Sequence, residues 1–247
     1  MKVILNGAGG RMGKAIRTLA ENGYRNAQIV ACVDILPMNV EGYDCYTEIN
    51  DVTADADCII DFSNHTGAPK LLEYAAKRCI PVVLATTGHT PEELDIIDEY
   101  SKKVAIFRSA NMSVGVAVLA ELAKTAAAAM PDADIEIIEK HHNRKLDAPS
   151  GTALMLANAI KTVRETAKYV FGRHGQSKRE REEIGIHAIR MGNIVGEHEI
   201  IIGTDNETIT IKHEAHDRAL FAEGALAAAD FISGKPAGAY DMQSMLK

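Results

Sequence analysis

The 247-residue chain has no excess of basic residues: 27 lysines and arginines stand against 34 aspartates and glutamates, giving a net charge of -7 and a pI near 5.7. Binding to a phosphate backbone needs a basic surface that releases counterions, so no nucleic-acid partner is expected. No run approaches the ~18 apolar residues of a membrane span. The first residues enter an apolar strand and a glycine loop without the apolar stretch and cleavage site of a secretion signal. A soluble, cytoplasmic protein with no membrane partner is the expectation. Cys32, Cys45, Cys58 and Cys79 form neither a Cys-x-x-Cys pair nor, with histidine, the spacing of a zinc site. They are expected to be reduced, structural thiols, and no metal is expected. Internal repeats and low-complexity linkers are also missing.

What the chain does have is length and apolar content, 47% of its residues, enough for one large core or two moderate ones. Short apolar runs alternate with amphipathic stretches through the first hundred or so residues, as in parallel strands joined by crossover helices. Strands are expected at 2–6, 28–34, 58–61, 81–85 and 104–107, with helices at 11–22, 69–77 and 91–102. After Asn111 the pattern changes. An alanine-rich helix over 114–130, stopped by Pro131, leads to a strand at 134–139, a helix at 150–166, several strands between 184 and 211, and a helix at 219–232. The alternation between 184 and 211 predicts a half-buried, mostly antiparallel or mixed sheet. The mixed-sign segment 172–183 reads as a solvated loop. The expected fold class is α/β: a Rossmann-like parallel-sheet domain plus an α+β substrate domain.

Gly7-Ala8-Gly9-Gly10-Arg11-Met12-Gly13 follows the first strand and opens the first helix. Small residues there let the backbone approach a pyrophosphate, whose charge meets the free amides of the helix N-terminus. Asp34 ends the second strand, 21 residues beyond Gly13, where a carboxylate would reach ribose hydroxyls. Ala85-Thr86-Thr87-Gly88 and Ser109-Ala110-Asn111-Met112 follow two further strands at the same carboxyl edge, where open parallel sheets bind their ligands.

Glu139-Lys140-His141-His142-Asn143-Arg144-Lys145-Leu146-Asp147-Ala148-Pro149-Ser150-Gly151-Thr152 places two imidazoles, several cations and a helix start in one connection. Ser150 is the expected N-cap, with the amides of Gly151 and Thr152 turned toward an anion. A small carboxylate substrate fits that arrangement better than a neutral one. Taken singly, either histidine is more commonly structural and Lys145 a surface lysine.

Together with the glycine loop, the Thr86-Thr87-Gly88 turn, the segment 109–116, Gly196-Glu197-His198 and Ser233-Gly234-Lys235-Pro236, this signature resembles the 4-hydroxy-tetrahydrodipicolinate (dihydrodipicolinate) reductase family of the diaminopimelate and lysine pathway. The resemblance covers essentially the whole chain. It implies a cofactor domain of residues 1–112 and 215–247, a substrate-binding and oligomerisation domain of 113–214, and a homotetramer assembled through the substrate-domain sheets. It also implies that His141 is a general acid/base and Lys145 a proton donor, with His142, Gly151 and Thr152 binding a dicarboxylate substrate. Gly7, Ala8, Gly9, Gly10, Arg11, Met12, Asp34, Ala85, Thr86, Thr87, Ser109, Ala110, Asn111 and Met112 match the family's cofactor contacts.

Three positions depart from the family pattern. Ala85 stands where glycine is frequent, Met112 where an aromatic residue is common, and Ile35 where some members carry arginine. Asp34 without a following cation favours NADH, with NADPH as the alternative cofactor. The implied reaction loses water, delivers a hydride from nicotinamide to a conjugated cyclic imine, and requires a proton at the neighbouring carbon. An imidazole that exchanges protons near neutrality and a protonated lysine suit that need. Two other functions stay open on residues alone. An amino-acid or sugar dehydrogenase would leave the histidine pair and Lys145 unexplained, and a nicotinamide-sensing scaffold would need a reading segment that is not seen.

Overall fold

The structure, a computed structural model, describes all residues 1–247. β1 (Lys2–Asn6), β2 (Gln28–Val33), β4 (Cys58–Asp61), β5 (Val82–Leu84) and β6 (Ala105–Arg108) are short and largely buried. Such near-continuous apolar runs mark strands covered on both faces. With β3 (Cys45–Tyr46) and β12 (Gly238–Tyr240) they form a seven-stranded parallel sheet in the order β12-β6-β5-β4-β1-β2-β3. The returning helices are α1 (Arg11–Glu21), α2 (Ala68–Arg78) and α3 (Pro91–Ser101). Thr90 caps α3 in a reciprocal box with Glu93, with Pro91 in the first turn. On one face, Leu71, Leu72, Ala75 and Ile97 of α2 and α3 pack on Ile4, Ile59 and Val82.

The chain then leaves this sheet for a second unit, residues 114–218, and returns for 219–247. α6 (Ala219–Ile232) packs on α1, β4, β5 and β6, followed by β12 and α7 (Met242–Leu246). The segment beyond Gly234 thus adds a strand that sequence reading did not place, β12 pairing along the outer edge of β6.

The second unit contains α4 (Val114–Ala129), β7 (Asp134–His141), α5 (Gly151–Lys161), β8 (Lys168–Phe171), β9 (Glu183–Arg190), β10 (Gly196–Gly203) and β11 (Thr208–Ala215). Its sheet runs β11-β10-β7-β9-β8. The β10 pairings are antiparallel, but β9 runs parallel to both β7 and β8, so the sheet is mixed rather than mostly antiparallel. The reason is the crossover through α5, which brings β8 back in the direction of β7. α4 and α5 cover one face, burying Leu119, Ala123, Leu156, Ala157 and Ile160 against Ile135, Ile137, Ile184, Ile200 and Ile202.

α5 stops at Lys161, short of the expected Thr166. The Arg164 guanidinium turns back to the carbonyls of Ala127, Met130 and Pro131, satisfying the end of α4 in place of continuing α5. The segment 172–182 is a largely exposed loop, as expected, tied down at Arg179, whose mostly buried side chain reaches Asp134 and the carbonyls of Ile135 and Glu183.

Candidate active site

In the first unit the glycine loop is packed too closely for side chains. Gly7 has φ +79°, and a Cβ there would stand 2.6 Å from the Phe62 backbone. At Gly13 it would stand 2.4 Å from the Gly7 carbonyl, so Gly13, not residue 12, lets α1 sit against the loop. The N-terminus of α1 carries no side-chain cap and no acidic residue in its first turn. Gly9 and Gly10 are exposed, as is Arg11, the first helical residue; Met12 is half-buried and Ala8 fully buried.

Asp34 lies across the loop and accepts the Gly9 N–H at 2.9 Å and the Leu36 N–H at 3.2 Å. Gly7, Gly10, Asp34 and Ile35 border a cavity of about 470 Å³ with Ser63 and Lys70. Glu48 is also in that wall, ion-paired to Lys70. The uncapped helix start, the Cβ-free cradle and the adjoining cavity fit a dinucleotide.

Further along the same carboxyl edge, Asp61 is buried at the end of β4 and accepts from Asn6 Nδ2 (2.8 Å), Ser63 Oγ (2.6 Å) and Thr86 Oγ1 (2.7 Å). That network fixes the turn containing Ala85, Thr86 and Thr87; Ala85 and Thr86 are buried and Thr87 is exposed. Ser109 Oγ donates to the Asn111 carbonyl at 2.7 Å, shaping the turn after β6. Ala110 is exposed there, and Met112 is buried with its carbonyl against Gly224 of α6.

The second constellation belongs to unit two. Alternation along β7 turns Ile135, Ile137, Glu139 and His141 inward. The Glu139 carboxylate is fully buried and lies 2.6 Å from His141 Nδ1. It also accepts Ser150 N–H at 3.0 Å and a forked pair from Arg190, at 2.8 and 2.6 Å. Burial alone would raise its pKa, but the hydrogen bonds from His141, Arg190 and Ser150 outweigh that and hold it at about 2.

Ser150 caps α5, its Oγ accepting Ala153 N–H at 3.2 Å and lying 3.1 Å from His198 Nε2. The Gly151 position opens onto unfilled space, and Thr152 follows in the first turn. His141 and His198 meet edge to face with centroids 5.2 Å apart. His142 has a buried Nδ1 without a partner and its Nε2 3.5 Å from Arg218; partial burial and the charges of Arg144 and Arg218 lower its pKa. Lys145 Nζ pairs with Asp147 at 2.9 Å.

Thus His141, His142, Lys145, Gly151 and Thr152 occupy one strand-to-helix connection, while the glycine loop, Asp34, 85–87 and 109–112 follow strands of one parallel sheet. Sequence reasoning gave no role to Glu139, Arg190 or Asp61. Glu139 was visible as a charge at an inward position of an alternating strand, which demands a partner. Arg190, 51 residues away, left no such signal. No group of three or more His, Cys, Asp or Glu side chains comes together to hold a metal ion.

A parallel-sheet unit with this glycine cradle, joined to a unit bearing a buried histidine–carboxylate cluster, defines a nicotinamide-dependent oxidoreductase of the two-unit dehydrogenase class. Residues 1–112 match the family described as dihydrodipicolinate reductase, N-terminus, and residues 115–246 match dihydrodipicolinate reductase, C-terminus. The chain belongs to the dihydrodipicolinate reductase family. It is 48% identical over 249 residues to the 4-hydroxy-tetrahydrodipicolinate reductase of Caldanaerobacter subterraneus subsp. tengcongensis, covering 100% of this chain and 98% of that one. Identity to the reductase of that name from Clostridium novyi is 46% over 248 residues, covering 100% and 98%. Among solved structures, the dipicolinate-bound dihydrodipicolinate reductase from Paenisporosarcina sp. TG-14 shares the fold with a TM-score of 0.84 at 24% identity, covering 98% of this chain and 97% of that one.

Proposed function

We propose that this chain reduces 4-hydroxy-tetrahydrodipicolinate to tetrahydrodipicolinate with loss of water, in diaminopimelate and lysine biosynthesis. The observation that carries the proposal is the convergence of His141, His142, Lys145 and the Ser150-capped start of α5 in one connection, in a chain of this family. A nicotinamide cofactor, when bound, would supply the hydride. Gly7 to Met12 would hold its pyrophosphate, Asp34 its adenosine ribose, and the turns 85–87 and 109–112 its other half.

The substrate's carboxylates are met by Lys145, His142 and the first-turn amides of Gly151 and Thr152. An entering carboxylate competes with Asp147 for the Lys145 ammonium. His141 exchanges the proton needed at the carbon beside the reduced centre, and Lys145 donates a second hydrogen bond as charge develops. NADH is the preferred cofactor, because the cavity wall holds Asp34 and Glu48 against the single cation Lys70 and so disfavours an added phosphate. The sheet face of unit two turned away from α4 and α5, with Ile138, Ile201 and the exposed Ile189, supports a homotetramer. A cytoplasmic location suits the biosynthetic role.

The test supplies purified protein with the condensation product of pyruvate and aspartate semialdehyde and follows NADH oxidation. Replacing His141 or Lys145 by alanine is expected to lower turnover by on the order of 10²-fold, with NADH affinity unchanged. Wild-type turnover in both variants would remove the assignment. Pyridine-2,6-dicarboxylate is expected to compete with the substrate; absence of calorimetric binding to the cofactor-loaded enzyme would remove the dicarboxylate pocket.

A further inference from the structure

His141 does not stand alone. Its Nδ1 lies 2.6 Å from a Glu139 oxygen, and every other group on that carboxylate is a donor: Ser150 N–H and both terminal nitrogens of Arg190. Arg190 also donates to the Asp147 carbonyl at 2.6 Å, so one guanidinium braces the carboxylate and the loop that carries Lys145. A carboxylate saturated by N–H donors is an anion without a proton to give. The hydrogen between Glu139 and His141 therefore belongs to Nδ1, leaving Nε2 as the only ring atom able to exchange a proton. The facing strand keeps that atom clear: Gly196 lies beside it, and a Cβ there would come within 3.1 Å of Nε2.

We infer that Glu139, braced by Arg190, is a positioning residue that locks His141 in the Nδ1–H tautomer and presents Nε2 as the proton-exchanging atom. Through Ser150 N–H the same carboxylate fixes that nitrogen relative to the N-terminus of α5, coupling proton transfer to carboxylate binding. The inference rests on the proposed role of His141. A purely structural tether would explain the bond to Ser150 but would not require a donor at Nδ1.

The test is nitrogen NMR of the full-length protein carrying ¹⁵N-labelled histidine, above the pH at which the rings are charged, with the His141 signal assigned from its loss in His141→Gln. The wild-type signal is expected to be Nδ1–H. In Glu139→Gln, whose side chain can still accept Ser150 N–H but turns an amide N–H₂ toward Nδ1, it is expected to switch to Nε2–H. kcat is expected to fall by on the order of 10²-fold, with KM changed by less than about threefold, and Glu139→Asp to recover part of kcat. A wild-type Nε2–H signal overturns the inference, even if the variant fails to fold. A folded Glu139→Gln variant with unchanged kcat also overturns it. The tautomer is read without substrate, so failure of the proposed reaction is seen separately.

Discussion

His198 shows how one buried side chain sets an acid limit on the fold. It is 4% exposed, bonded to Ser150 through Nε2, with Nδ1 unpartnered. Burial first, then the neighbouring His141, lower its pKa from 6.5 to about 4. Between those values the unfolded chain binds the proton and the folded one does not, so stability rises with pH through this window and is lost as pH falls. Glu139, held at about 2 against its usual 4.5, adds a loss that begins only below about pH 4.5. Urea midpoints are expected to drop between about pH 7 and pH 4.5 by an amount equivalent to a few kcal/mol. His198→Gln is expected to flatten that slope, and an unchanged slope would locate the acid sensitivity elsewhere. A second residue-scale prediction concerns Ile35, 87% exposed beside Asp34. Wild type is expected to have the higher kcat/KM with NADH, and Ile35→Arg to move the ratio about tenfold toward NADPH, or ~1.4 kcal/mol. A wild-type preference for NADPH would contradict the roles given to Asp34 and Glu48.

At the scale of elements, the strand-to-helix turn at Gly7–Gly13 has the least tolerance. A methyl group at Gly13 meets the backbone of Gly7 and Ala8, which cannot step aside as a flexible side chain can. Gly13→Ala is expected to destabilise the first unit by about 2–4 kcal/mol and to abolish measurable NADH binding; a variant with wild-type cofactor affinity would show that the turn can relax. That turn was legible from sequence because small residues, a preceding apolar strand and a following helix agree. The longer parallel strands were legible because burial on both faces writes itself as unbroken apolar runs. β3 and β12 are the two edge strands and only partly buried, so no unbroken apolar run marks them, and they exist because their neighbours offer an edge. The end of α5 was hidden because Arg164 is recruited by carbonyls more than 30 residues earlier, which no local propensity encodes. In the site, the histidines and Lys145 were singled out by the resemblance of their segment to a family, since each taken alone reads as a structural or surface residue. The Glu139–Arg190 support was not, since it joins two strands adjacent only after folding.

On the scale of the whole molecule, the first unit is discontinuous and the second continuous. α6 supplies the first unit with buried Ala222, Ala225, Leu226, Ala228, Ala229 and Ile232. Residues 1–113 expressed alone are therefore expected to lack near-ultraviolet circular dichroism and to bind a hydrophobic dye, whereas 114–218, whose core is its own, is expected to unfold cooperatively in urea. A natively packed 1–113 fragment would mean that α6 is dispensable to that core. The same discontinuity has a consequence in time. On the ribosome, β4, β5 and β6 emerge long before the helix that must cover them, and at ~5–20 residues per second the wait lasts on the order of ten seconds. The inserted unit can complete itself during that interval, so the core begun first is the last to close, and the nascent chain carries bare apolar sheet for most of its synthesis.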